Sequence, residues 1–113
     1  MSWTVNRAPS ACECIPDGST DLDLITYFPV GMKCHSIQLS PSAVNDVLVV
    51  REGTDTGAII CKLTSLDGGD IAKLYFGQWT KPYIKLADCT FSTDANVKVI
   101  FNYNTSYGEW PTR

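Results

Sequence analysis

Asp46-Val47-Leu48-Val49-Val50-Arg51-Glu52-Gly53-Thr54-Asp55-Thr56-Gly57-Ala58-Ile59-Ile60-Cys61-Lys62-Leu63 reads as two strands around a turn. Val47 to Val50 is a continuous apolar run, the pattern of a strand covered on both faces and central in its sheet. Gly53 and Gly57 bracket polar residues and permit positive φ, so a hairpin returning through residues 58–63 is expected. A second strand-turn-strand unit spans residues 71–86. It follows the turn Leu66-Asp67-Gly68-Gly69-Asp70 and is interrupted by Lys81-Pro82.

Moving outward, the apolar residues keep a period of two and show almost no 3.6-residue pattern. Residues 21–28 place Leu22, Leu24 and Phe28 on one face with Thr26, and Asp21 and Asp23 on the other, which reads as a half-buried strand. Residues 31–39 alternate through Met32 and Cys34, then change parity to Ile37 and Leu39, which predicts a β-bulge near His35. Residues 88–91 and 96–103 supply two more strands joined by Ser92-Thr93-Asp94-Ala95, and residues 41–45 have room for a single helical turn. About eight short antiparallel strands at regular spacing define an all-β single domain, a β-sandwich or jelly-roll-like fold. Its core is expected to use Val47, Val49, Ile60, Tyr75, Phe76, Val99 and Phe101.

Residues 1–20 and 104–113 lack clear alternation and read as an N-terminal arm and a C-terminal tail around a body at 21–103. They nevertheless carry Trp3, Tyr107 and Trp110. Large rings on irregular segments are explained by packing, either onto a partner as binding anchors or back onto their own domain.

At 113 residues the chain is one domain. A chain of this size buries only about two thirds of its unfolded surface, so a partner or an oligomer would add stability. Nine basic against twelve acidic residues leave a net charge of −3, so no general attraction to nucleic acid is expected. No run approaches the roughly 20 apolar residues of a membrane helix, and residues 1–7 show no apolar leader core, so a soluble, non-exported chain is expected. Five cysteines cannot all pair within one chain, and reduced thiols in a reducing cytoplasm are the simpler expectation.

The residues that could carry chemistry are few. His35 is the only histidine, and Cys34 beside it points to the opposite face of a strand, so neither Ser-His nor Cys-His catalysis is indicated. Asp21 and Asp23 share a strand face at a spacing of about 7 Å, which a glycosidase could use but which any i, i+2 pair has. Residues 17–21 and 67–70 offer oxygen ligands without the alternating pattern of a calcium loop. Cys12-Glu13-Cys14 aims two sulfurs the same way, yet a zinc site needs two more ligands and no second paired-Cys motif supplies them. Lys73, Lys81 and Lys85 near Tyr75, Trp79 and Tyr83 could form a stacking surface for single-stranded nucleic acid, and Trp79 with Tyr83 a platform for a sugar ring. No enzyme activity, metal or cofactor is expected from these residues.

The run Ser40-Pro41-Ser42-Ala43-Val44-Asn45-Asp46-Val47-Leu48-Val49-Val50-Arg51-Glu52-Gly53, then Thr56-Gly57-Ala58-Ile59-Ile60, resembles small virion proteins of tailed bacteriophages. Lys73-Leu74-Tyr75-Phe76-Gly77, Lys81-Pro82-Tyr83 and Ala87-Asp88-Cys89-Thr90 extend the resemblance, which covers roughly residues 31–101 through structural rather than catalytic motifs. It implies a virion component made in the host cytoplasm, such as a capsid decoration (cement) protein that bridges major capsid protein subunits as a homo-oligomer, with a trimer the natural guess. The alternative it leaves open is a tail- or neck-associated module that binds a carbohydrate or receptor.

Overall fold

The computed structural model describes residues 3–67, 69 and 71–104, with the side chains of all but 72–78 and 104. Nine strands form among the described residues: β1 (Thr4–Arg7), β2 (Ala11–Ile15), β3 (Leu22–Asp23), β4 (Met32–Ser40), β5 (Val47–Glu52), β6 (Ile59–Thr64), β7 (Ile71–Thr80), β8 (Pro82–Ile84) and β9 (Lys98–Asn104). They make two antiparallel sheets, one of five strands in the order β1-β2-β9-β4-β7 and one of four in the order β3-β8-β5-β6. The all-β expectation holds, one sheet curls into a half-barrel, and no α-helix occurs among the described residues. None of the described segments is a helix long and apolar enough to cross a membrane.

The central hairpin forms as its sequence dictates, with Val47 opposite Thr64 and Val50 opposite Cys61. β5 lies inside its sheet between β8 and β6. Leu48 and Val50 face the shared core, whereas Val47 is only half-buried and Val49 is buried outside that core. Val49 is thus buried as expected and Val47 is not, while Leu48 and Val50, which were not chosen, fill the shared core, because a continuously apolar strand carries no phase. Ile60 packs at the core margin, Val99 and Phe101 are fully buried, and the side chains of Tyr75 and Phe76 lie outside the described set.

Gly53 has φ +79°, as a turn glycine should. Gly57 is required for a different reason. A Cβ built on it would lie 1.8 Å from the Glu52 carbonyl oxygen, so the loop closes only where no side chain intervenes.

The bulge in β4 appears at the expected place. Against β9, residues 34 to 36 oppose Tyr103 and Asn102, so β4 carries one extra residue, His35, which is exposed. Burial then changes parity from Met32 and Cys34 to Ile37 and Leu39.

Four expectations are corrected. The described part of the expected arm at 1–20, from residue 3 on, is not an arm: β1 and β2 are the two strands at one end of the five-stranded sheet, with Cys12 and Cys14 fully buried in the core. Residues 21–28 form only the two-residue β3 before a 3₁₀ turn at Leu24–Thr26, because Asp23 caps Ile25 N at 3.1 Å and curls the chain; Leu22, Leu24 and Phe28 are buried nonetheless. Residues 88–91 contribute a single bridge, Thr90 to Val47, after a second 3₁₀ turn at Leu86–Asp88. The 41–45 segment is a turn containing Asn45 at φ 71°, with no helix.

The second strand-turn-strand unit also departs from a hairpin. β7 pairs with β4 and β8 pairs with β3 and β5, so the chain changes sheets at Lys81. Glu52 fixes this crossing by accepting from the Thr80 hydroxyl and from Lys81 N (3.0 Å), while Gly53 N donates to the Lys81 carbonyl (2.8 Å). The expected tail at 104–113 begins inside β9 with Asn104, and the remainder lies outside the described residues.

Substituting Gly57→Ala is expected to destabilise the chain by at least about 1 kcal/mol, since the new methyl group must displace the Glu52 carbonyl. Thermal unfolding of the variant against wild type measures this as a lowered Tm.

Candidate functional site

A concavity of about 570 Å³ lies where β1 ends, lined by Val5, Asn6, Arg7, Ala8, Pro9, Phe28 and Tyr103. The turn Ala8-Pro9-Ser10 brings the chain back into β2, closed by Ala8 N donating to the Ala11 carbonyl at 2.7 Å. Tyr103, one residue from the end of β9, forms the far wall. Its hydroxyl donates to the Ala8 carbonyl, its backbone N donates to Ser10 O at 3.0 Å, and its ring meets Phe28 edge-on at 5.1 Å between centroids. Burial raises the Tyr103 phenol above its ordinary pKa, so it remains a neutral donor.

Arg7 is the charged group of this rim. Its guanidinium sits 5.8 Å from the Tyr27 ring centroid and 6.0 Å from that of Phe28, and one nitrogen donates to the Tyr27 carbonyl at 3.0 Å. Arg7 is exposed and has no carboxylate partner among the described residues. A planar fork held over aromatic rings with donors left over is suited to a carboxylate. Sequence reading missed this site because its parts lie 20 and nearly 100 positions apart. The only local signal was the turn residues directly after Arg7.

The residues singled out in the sequence fall elsewhere. Trp3 is 4% exposed and its indole donates to the Thr20 carbonyl at 2.7 Å, so it anchors its own domain and is not available to a partner. This overturns its assignment as a partner-binding residue. Tyr107 and Trp110 lie outside the described residues. Trp79 is 48% exposed on β7, opposite Lys33, whereas Tyr83 stands on β8 in the other sheet. The Tyr83 hydroxyl donates to Asp21 at 2.8 Å, and this bond pushes its pKa up to about 12. The proposed platform is thus split across the crossing at Lys81, with Tyr83 already engaged.

Asp21 also accepts from Leu86 N at 2.9 Å, and Asp23 caps the 3₁₀ turn, so each carboxylate of that pair holds local structure. Asp17 accepts from Ser19 N, Thr20 N and the Thr20 hydroxyl, an Asx turn rather than a calcium loop. No group of three or more His, Cys, Asp or Glu among the described residues is arranged to hold a metal ion.

The buried carboxylate is Asp46, which the sequence did not single out. Its Oδ2 accepts from Ser42 N (2.7 Å), Ser42 Oγ (2.5 Å) and Ala43 N (3.2 Å), and its Oδ1 from Ser92 N (3.0 Å) and Ser92 Oγ (3.1 Å). Burial alone would raise its pKa, but these hydrogen bonds outweigh that and hold it below the ordinary carboxylate value. It is a structural ion.

Cys12 and Cys14 point inward from β2 with their sulfurs 3.7 Å apart. The hydrogen bond to Cys12, reinforced by burial, holds Cys14 far above the usual thiol pKa. Burial raises Cys34 to about 12 and Cys89 to about 11. These three thiols are protonated at neutral pH and poor nucleophiles. None of the five cysteines forms a disulfide.

Comparison with known protein families, with curated proteins and with solved structures returned no match.

Two outcomes follow from this chemistry. Because the folded pKa of Asp46 lies below its unfolded value of about 3.9, its contribution is complete above that pH and is lost as pH falls through the folded pKa. Asp46→Asn is expected to cost at least about 2 kcal/mol at pH 7, since an amide cannot accept all five bonds, and to lose less stability than wild type on acidification below about pH 4. Asp88, lowered by its bond to Arg51, keeps some pH dependence in the variant. Urea unfolding across pH measures both effects. Separately, iodoacetamide at pH 8 is expected to leave Cys12, Cys14, Cys34 and Cys61 unmodified in the native protein for times that label all five in urea; mass spectrometry of the alkylated protein reads this directly.

Proposed function

We propose that this chain is a structural subunit of a virion, a capsid decoration (cement) protein that bridges and stabilises capsid subunits as a small symmetric oligomer, a trimer in the simplest arrangement. The observation that carries this reading is the preformed concavity at the end of β1, where Arg7 is held over Tyr27 and Phe28 with donors still available. Such a rim suits a grip on a segment of a neighbouring protein. The resemblance of residues 31–101 to small virion proteins of tailed bacteriophages supplies the biological setting. The carboxylates Asp17, Asp21, Asp23, Asp46 and Asp88 are each engaged in turns, caps or an ion pair, as expected of a protein whose polar groups serve its own architecture. Tyr107 and Trp110 remain the proposed anchors on neighbouring subunits, and Trp3 no longer belongs with them.

A second reading rests on Trp79, half-exposed on an outer strand: a tail- or neck-associated module that stacks a sugar or contacts a receptor. Incubating the purified protein with capsids of the phage that encodes it separates the two. Saturable co-sedimentation at a stoichiometry set by capsid symmetry, weakened at least tenfold by Trp110→Ala and unchanged by Trp79→Ala, is the expected result. Glycan-array binding abolished by Trp79→Ala, without capsid binding, overturns the decoration assignment.

A further inference from the structure

Cys34 and Cys89 turn their sulfurs to backbone carbonyls, the first to Ser36 and the second to Val49 and Lys85. Cys12 and Cys14 differ: their sulfurs hydrogen bond to each other across 3.7 Å on the inner face of β2, and both residues are fully buried. Glu13 between them points the other way, as strand alternation requires. Two sulfurs so placed have the bite of a metal chelate, because thiolate–metal bonds of about 2.3 Å hold two sulfurs at most about 4.6 Å apart around one ion. Rotation about the two Cα–Cβ bonds supplies the remaining difference of about 1 Å with the backbone in place.

The number of ligands selects the metal. Zinc needs four, and among the described residues no group of three or more His, Cys, Asp or Glu can hold it; His35, the only histidine, is exposed on the bulge in β4. Copper(I) is a soft ion that selects thiolates and is satisfied by two of them in line. Its binding breaks two S–H bonds, forms two S–Cu bonds and releases two protons to solvent. Copper stays in the +1 state, so no oxidant or reductant enters, and the bis-thiolate centre carries one negative charge. An uncompensated charge in an apolar core is costly. Here a counter-charge stands beside it. Arg7 is directly opposite Cys12 in the β1–β2 register, so both side chains leave the sheet on the same face, and Arg7 has no carboxylate partner among the described residues. The Cys14 hydrogen bond holds Cys12 below the ordinary thiol pKa despite burial, and the Arg7 charge acts in the same direction. We propose that Cys12 and Cys14 form a buried two-coordinate site for copper(I), with Arg7 balancing the charge of the bis-thiolate centre. The site goes beyond the virion reading and does not depend on it. Because both sulfurs are buried, the ion enters as the chain folds or when the short outer strand β1 lifts from β2, and it leaves as slowly.

The test uses the full-length reduced chain, refolded from urea under anaerobic conditions with copper(I) and then challenged with the chromogenic chelator bicinchoninate. Wild type is expected to keep one copper per chain, to show two sulfur ligands by X-ray absorption at the copper edge, and to release copper at least about tenfold more slowly when native than in urea. Cys12→Ala and Cys14→Ala are each expected to bind at least about tenfold more weakly, and Cys34→Ala to bind as wild type does. Arg7→Gln keeps both sulfurs and is expected to bind at least about threefold more weakly. Thermal unfolding of each copper-free variant checks the fold; should either buried-cysteine variant fail to fold, the wild-type sulfur count, Cys34→Ala and Arg7→Gln decide. A native wild type that retains no copper overturns the proposal. So does a centre with three or more sulfur ligands, copper kept by both Cys12→Ala and Cys14→Ala, copper lost in Cys34→Ala, or an Arg7→Gln variant that binds as tightly as wild type.

Discussion

Five hydrogen bonds converge on the Asp46 carboxylate, and three separate stretches of chain depend on them. Ser42 and Ala43 belong to the link between β4 and β5, Ser92 to the link into β9, and Asp46 itself stands directly before β5. Around it, Asn45 N donates to the Ser65 carbonyl, Ser65 N returns to the Asp46 carbonyl, and Val47 exchanges both backbone bonds with Thr90. Ser42 Oγ accepts from Thr93 N as well, so the hydroxyl relays the charge to a second loop. An isolated buried carboxylate would cost several kcal/mol, and here the surrounding donors offset that only when every one of them is in place. The ion therefore specifies geometry: the loops that join the two sheets at this end have one arrangement that satisfies it.

The opposite end of the chain is organised by aromatic rings instead of charge. Tyr103 and Phe28 meet edge-on, Arg7 covers Phe28 and Tyr27, and Trp3 closes over the loop to Thr20 through its indole N–H. These contacts make residues 3–15 part of the sandwich and shape the concavity at its margin. Arg51, by contrast, bridges Asp88 and the Gly57 carbonyl near the surface, a partly exposed ion pair that solvent screens and that adds little to stability.

Where the sequence was legible, one face of a strand was distinguishable from the other. The parity change between Cys34 and Ile37 located the bulge at His35 because β4 alternates on both sides of it. β5 gave its position in the sheet but not its phase, since Leu48, Val49 and Val50 are all buried. β2 was overlooked because Cys12 and Cys14 were weighed as chemistry; counted as small apolar residues, they alternate with Ala11, Glu13 and Ile15 as plainly as any strand here. β7 and β8 looked like a hairpin because the proline break resembles a turn, and nothing local distinguishes a turn from a change of sheet. The candidate site was the least legible part: Arg7, Phe28 and Tyr103 meet only through tertiary structure.

The strand order has a consequence for how the molecule is made. β9, last of the described strands to be synthesised, inserts between β2 and β4, while β2 is among the first. The five-stranded sheet therefore cannot close on the ribosome until residue 104 has emerged. Until then the facing edges of β2 and β4 stand open, and pairing across almost the whole length of the chain is the slow, entropically costly kind. The nascent chain is thus most exposed to mispairing with its neighbours on a polysome in the interval before β9 emerges.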